Sequence, residues 1–179
     1  MSDTTTPPPH RTLIVLRHAK SAWPPGVPDE ERPLGPRGRR DAPEAGRWLH
    51  DRGLLPDAVV CSPARRARET WELASAELPQ APAATFDPRV YTADADDLIP
   101  VLREQPRHAT TVLLIGHNPA LEDLILDLAA DTGGEALDRI REKYPTSGIA
   151  VLELPDAWPE LGSSPARLVD FAIPRGTRP

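Results

Sequence analysis

The chain has 179 residues, 39% of them hydrophobic, with a formal net charge of −6. That length suits one domain with a real core, and the acidic balance excludes a general nucleic-acid binder, which carries a basic face. No run of about 18 apolar residues is present to cross a membrane, and the first ten residues lack the apolar stretch and small-residue cleavage site of a secretion signal.

Residues 1–10, opening MSDTTTPPP, are polar and proline-rich and are expected to be a mobile tail ahead of a single domain over 11–179. Thr12 to Leu16 is an apolar run rich in β-branched residues, a buried strand leading straight into Arg17, His18, Ala19 and Lys20. From Ser21 to Pro36 a Pro/Gly-rich stretch reads as a long loop, a candidate lid or substrate wall. Arg37 to Arg52 reads as a helix with Ala45, Trp48 and Leu49 on one side, stopped by Gly53. Ala58 to Cys61 is the second strand, and Ser62-Pro63 reads as the N-cap and first position of a helix running to about Leu78.

A weak edge strand near Ala84 to Phe86 follows, then a helix over Ala95 to Glu104. Thr110 to Ile115 is the clearest buried strand, and Gly116-His117-Asn118-Pro119 turns it into a helix with Leu121, Leu124, Ile125 and Leu128 on one face and Asn118 as cap. Strands Ile149 to Leu154 and Arg167 to Ala172 complete the pattern. Alternating strands and helices predict an α/β fold, a three-layer α/β/α sandwich around a central, mostly parallel sheet.

Three strand ends carry cationic or imidazole groups: Arg17-His18, Ser62 to Arg66, and Gly116-His117. Ligands bind at the carboxyl ends of strands in such sheets, so the three can converge. Two arginines and two histidines suit a phosphoryl group, because the guanidinium fork matches phosphate oxygens and a protonated imidazole adds a donor. A neutral imidazole can also attack phosphorus and split one difficult displacement into two easier ones. The expected nucleophile is His18, with Arg17, His117 and at least one arginine of the second junction as the clamp, and Lys20, Ser21 and Asn118 as further candidate contacts. Arg65, Arg66 and Arg68 sit where a helix dipole disfavours cations, a penalty a bound anion would offset. Successive helical residues point about 100° apart, so at most one or two of the three face a pocket.

The segment Leu16-Arg17-His18-Ala19-Lys20-Ser21-Ala22-Trp23 resembles the signature of the histidine phosphatase superfamily, in the form of its small phosphohistidine phosphatase branch, the SixA-like proteins, which share the phosphoglycerate mutase-like fold. Ser62 to Thr70 resembles the second arginine motif of that branch and assigns its phosphate-binding role to Arg66, while Gly116-His117-Asn118-Pro119 resembles the second-histidine motif. Weaker echoes are Arg32-Pro-Leu-Gly-Pro-Arg-Gly and Lys143-Tyr-Pro-Thr-Ser. The resemblance implies a phosphatase working through a phosphohistidine intermediate, with no metal or organic cofactor, on phosphohistidine in proteins. Many superfamily members carry a mid-chain acid that protonates the leaving oxygen. Asp87 is the nearest candidate and Thr92 lies where an acid would also be sought. A P–N bond needs less acid assistance than an ester, which favours phosphohistidine as substrate.

The alternatives are a phosphatase or mutase of small phosphate esters, a phospho-ligand binding protein without turnover, and a structural or interaction protein. The expected partner is a phosphorylated protein or a small phosphate-bearing substrate, with neither nucleic acid nor membrane, in the cytoplasm. A cysteine-dependent phosphatase would need Cys-x5-Arg, but Ala67 stands at that spacing from the single Cys61. No metal-binding histidine spacing and no Gly-x4-Gly-Lys-Ser/Thr loop is present.

Overall fold

The computed structural model describes residues 10–130 and 132–177; the expected tail, apart from His10, lies outside them. The order of elements is β1 (Arg11–Arg17), α1 (Pro36–Asp51), β2 (Ala58–Cys61), α2 (Arg65–Ser75), β3 (Ala84–Phe86), α3 (Pro88–Tyr91), α4 (Ala95–Arg103), β4 (Thr111–Gly116), α5 (Ala120–Leu128), α6 (Glu135–Glu142), β5 (Ile149–Leu154) and β6 (Arg167–Ala172). The strands form one sheet in the order β3-β2-β4-β1-β5-β6. The first four of these are mutually parallel, and β5 and β6 are antiparallel additions.

Strand periodicity assigns each face its own core. Leu13 and Val15 of β1, with Val112 and Leu114 of β4, pack against Leu98, Val101 and Leu102 of α4 and Leu121, Leu124 and Ile125 of α5. Ile14, Leu16, Leu113 and Ile115 point the other way, onto Ala45 and Leu49 of α1 and Ala67, Trp71 and Ala74 of α2. The sheet is therefore covered on both sides, the three-layer arrangement expected of near-continuous apolar strands. Helix α1, which follows β1, and α5, which follows β4, lie on opposite faces, so a crevice opens at the carboxyl ends of these two neighbouring strands.

Two glycines set close approaches. A Cβ on Gly38 would stand 2.1 Å from the Lys20 carbonyl oxygen, so α1 rests directly on the segment after β1; a Cβ on Gly46 would stand 2.1 Å from the Ala74 carbonyl oxygen of α2. Helix α1 is also clasped from the far end of the chain. The buried Asp41 carboxylate accepts from Arg37 Nε at 3.3 Å, Arg175 Nη1 at 3.1 Å and the Gly176 backbone N–H at 2.9 Å.

Helix α2 starts at Arg65, later than the Ser62-Pro63 signal predicts, and ends at Ser75. Ser62 is still held by the sheet, its N–H donating to Ile115 at 3.0 Å, and its Oγ accepts from Ala64 N–H at 3.2 Å. Helices α3 and α6 have no counterpart in the sequence reading, being only four and eight residues long. Among the described residues no helix is long and apolar enough to cross a membrane.

Candidate active site

Register brings the two histidines together. Arg17 of β1 pairs with Gly116 of β4, so the next residues, His18 and His117, leave adjacent strands side by side with ring centroids 5.1 Å apart. Beyond β2, Ser62 reaches across to His117, Oγ to Nε2 2.7 Å. Arg66, the second residue of α2, is buried and directed at the same place. Arg17, His18, Lys20, Ser21, Arg66, His117 and Asn118 all line one cavity of about 220 Å3, together with Trp23, Arg32 and Thr146.

The loop after β1 is fixed by backbone contacts. His18 N–H donates to Gly116 at 3.2 Å, and Ser147 N–H, at a left-handed φ of 62°, donates to the carbonyls of Arg17 and His18 at 3.1 and 3.2 Å. Ala19 N–H donates to Thr70 Oγ1 at 3.0 Å, which itself donates to the Arg66 carbonyl at 2.7 Å, tying this loop to α2. Tyr144 anchors the other side: its hydroxyl donates to Val15, and its carbonyl accepts from Arg17 Nη1 at 3.0 Å and Asn118 Nδ2 at 2.9 Å.

The hydrogen bonds assign the tautomers. His18 Nδ1 lies 2.7 Å from the Ala19 carbonyl, an obligate acceptor, so Nδ1 carries the proton and Nε2 keeps its lone pair. Burial, with the charges of His117, Arg66 and Arg17, lowers the His18 pKa well below its usual value and keeps the ring neutral. His117 Nδ1 faces Arg66 Nη2 at 3.5 Å, and a guanidinium only donates, so the His117 proton sits on Nε2 toward Ser62. Burial and the Arg66 charge push the His117 pKa down to about 4.

Arg66 is held by a residue that sequence reasoning missed. Its Nη1 donates to the Asp29 carbonyl at 2.7 Å and its Nη2 to Asp29 Oδ2 at 3.1 Å. Tyr91 and Arg32 donate to the same carboxylate at 2.6 and 3.0 Å. The Tyr91 bond, followed by those of Arg66 and Arg32, outweighs partial burial and lowers the Asp29 pKa to about 2. The Ser21 to Pro36 loop is thus a strap bound to the site by one ionised side chain. The sequence marks this loop by its Pro/Gly-rich composition and by Arg32 at the head of the weaker Arg-Pro-Leu-Gly motif, while nothing in it singles out Asp29. The buried Nε–H groups of Arg17 and Arg66 find no acceptor among the described residues. Both guanidinium groups line the cavity that His18 lines, a cationic arrangement suited to an anion.

Three sequence expectations change. Asn118 does not cap α5: the cap position is Pro119, without a side-chain bond, and the Asn118 amide is drawn to Tyr144 instead. Asp87 does not enter the cavity. It caps α3 by accepting from Arg89 N–H at 2.9 Å and is clamped by the Arg89 guanidinium, which lowers its pKa. Thr92 is the exposed C-cap residue of α3. Arg65 and Arg68 are exposed, Arg65 paired with Glu69 at 3.3 Å, so only one arginine of the three serves the cavity. Cys61 is fully buried, and burial raises its thiol pKa, as expected of a strand-end core residue.

Comparison with known proteins agrees with this geometry. The sequence profile of the histidine phosphatase superfamily (branch 1) matches residues 13–90. The uncharacterized protein Rv1276c of Mycobacterium tuberculosis is 41% identical over 162 residues, which span 89% of this chain and all of the relative. A structure from Nakamurella multipartitia, assigned as the phosphohistidine phosphatase SixA, superposes with a TM-score of 0.82 at 32% identity, covering 94% of this chain and 98% of that one. A second protein so assigned, from Agrobacterium tumefaciens, gives 0.76 at 29% identity over 92% of this chain and 99% of that one. The chain belongs to the histidine phosphatase superfamily and is SixA-like within it.

Proposed function

We propose that the protein is a phosphatase that removes phosphate from phosphohistidine in proteins through a covalent intermediate on His18. The observation that carries this reading is the His18 tautomer: a ring kept neutral, with its Nε2 lone pair free, next to Arg17, Arg66 and His117. Attack by Nε2 on phosphorus forms the new N–P bond and breaks that of the substrate. The released electron pair returns to the substrate imidazole, which takes up a proton. Arg17 and Arg66 stabilise the phosphoryl oxygens, and Ala19 accepts from the Nδ1–H of the now cationic ring. Water then attacks phosphorus, the N–P pair returns to Nε2, and inorganic phosphate leaves.

The substrate assignment rests on what the cavity supplies. Among the described residues its lining holds no carboxylic acid to protonate an alkoxide, while an imidazole leaves with less assistance. At about 220 Å3 it is smaller than the usual 300–1,000 Å3 of a metabolite pocket, which suits a phosphoryl group presented on a larger molecule. The SixA assignment of the 32% identical relative points the same way.

The test is brief incubation with a phosphohistidine-bearing protein followed by mass spectrometry for acid-labile phosphate, with wild type beside His18→Ala. Label on His18 and loss of at least about a thousandfold in turnover for the variant are expected. Equal turnover by the variant, or no label on wild type during turnover, would remove His18 as nucleophile.

A further inference from the structure

Tryptophan is among the more buried residues of a folded chain, yet Trp23 is 73% exposed. A lone exposed apolar side chain needs no explanation, but this one lines the reaction cavity and is mounted on a rigid base. The Arg32 guanidinium lies 3.5 Å from the centre of its ring. Arg32 is itself only 7% exposed, fixed by Nε to Asp29 Oδ1 at 3.0 Å and by Nη1 to Ser21 Oγ at 2.8 Å and the Ala22 carbonyl at 3.3 Å. One side of the indole thus meets a cation locked into the strap, and most of the ring stands free at the cavity. A cation over an aromatic face attracts the ring, so the base holds the indole in place and leaves little ordering cost to a ligand.

The cavity volume, about 220 Å3, accommodates the phosphoryl group with one small ring. The rest of a larger substrate must lie outside it, next to the strap. We propose that Trp23, on its Arg32 base, is a specificity-determining residue that packs against the polypeptide flanking the phosphohistidine. This rests on the proposed function and extends it from the reacting group to the chain that carries it. Burying a large aromatic ring at a contact removes apolar surface that none of the described residues covers, and tryptophan is among the residue types enriched where truncation weakens a contact most.

The experiment compares two substrates with the same P–N bond: phosphoimidazole, and a histidine-containing peptide phosphorylated with phosphoramidate. kcat and KM are measured for wild type, Trp23→Ala and Trp23→Phe. For Trp23→Ala the ratio of kcat/KM on the peptide to that on phosphoimidazole should fall by about tenfold or more, through KM, and Trp23→Phe should recover most of it. Thermal melting controls for folding. A ratio unchanged from wild type, or an equal fall on both substrates, overturns the role of Trp23 while leaving the phosphatase reading intact. Hydrolysis of neither substrate by wild type overturns that reading and the inference with it. Loss of the peptide preference together with a change of oligomeric state would make Trp23 a contact between copies of this chain and would also overturn the proposal.

Discussion

The two histidines are held neutral by the protein at a cost. The usual histidine pKa is 6.5, that of His117 is about 4 and that of His18 is well below 6.5. The unfolded chain therefore takes up protons near pH 6.5 that the folded chain refuses. Stability is complete above that pH and is lost as pH falls below 6.5, by up to about 1.4 kcal/mol per pH unit for each histidine, with the His117 contribution ending near pH 4. Urea midpoints measured from pH 7 to 4.5 should show this slope, and His117→Gln should make it shallower. An unchanged slope would assign the acid sensitivity to other groups. Asp29 acts lower: its pKa, about 2 against the usual 3.8, contributes stability that is present above 3.8 and lost as pH falls through 2. Arg66→Lys should cost at least about a hundredfold in turnover, because one ammonium cannot hold Asp29 and present a planar donor pair to phosphate together. Measured kcat/KM within a few-fold of wild type would show that Arg66 acts as a point charge only. Arg17, His18 and His117 were legible because each sits at or just past a strand end beside an apolar run, and Arg66 because the resemblance of Ser62 to Thr70 singles it out from Arg65 and Arg68. Asp29 and Tyr91 were not, because what joins them to Arg66 is a contact between three segments far apart in sequence, the strap, α2 and α3.

The strands were readable, the weak edge strand β3 among them, and the short helices α3 and α6 were not. Strands β2, β3, β5 and β6 follow the bounds read from the sequence, and α1, α4 and α5 agree to within a residue or two. The start of α2 was misread because Ser62 is spent on the sheet and on His117 instead of on the helix. In the same way Asn118 looks like a cap by position but is claimed by the Tyr144 carbonyl. Side chains at a functional junction obey the site before they obey local helix rules. Gly38 shows how an element can set the site from outside it. Gly38→Ala would drive a methyl group into the Lys20 carbonyl, an atom of backbone that cannot rotate away. A loss of about 1–3 kcal/mol in stability and a larger loss in kcat than in KM are expected, read from denaturation and steady-state kinetics. A variant with wild-type kcat would mean that α1 shifts without moving His18.

At the scale of the molecule, the parallel strands β1, β2 and β4 and the segments that follow them supply every cationic group of the cavity lining, and the antiparallel strands β5 and β6 close the fold beside it. An anion should therefore stabilise the whole protein. Sulfate at a hundred times its Kd is worth about 2.7 kcal/mol, and Arg66→Ala should abolish the gain. Sulfate remains a dianion across the range, so any pH dependence belongs to the protein. The gain in Tm should be larger at pH 6 than at pH 8, because binding raises the His117 pKa and draws in a proton. Equal gains would mean that His117 stays neutral in the complex.

The clasp on Asp41 has a consequence for handling the protein. Arg175 and Gly176 carry no chemistry, yet they tether α1, whose Gly38 lies one turn before Asp41 and bears on the residue two places after His18. A protease cut near position 174 would leave every catalytic group in the retained fragment and still loosen the nucleophile, so clipped preparations should show lowered specific activity before any loss of fold.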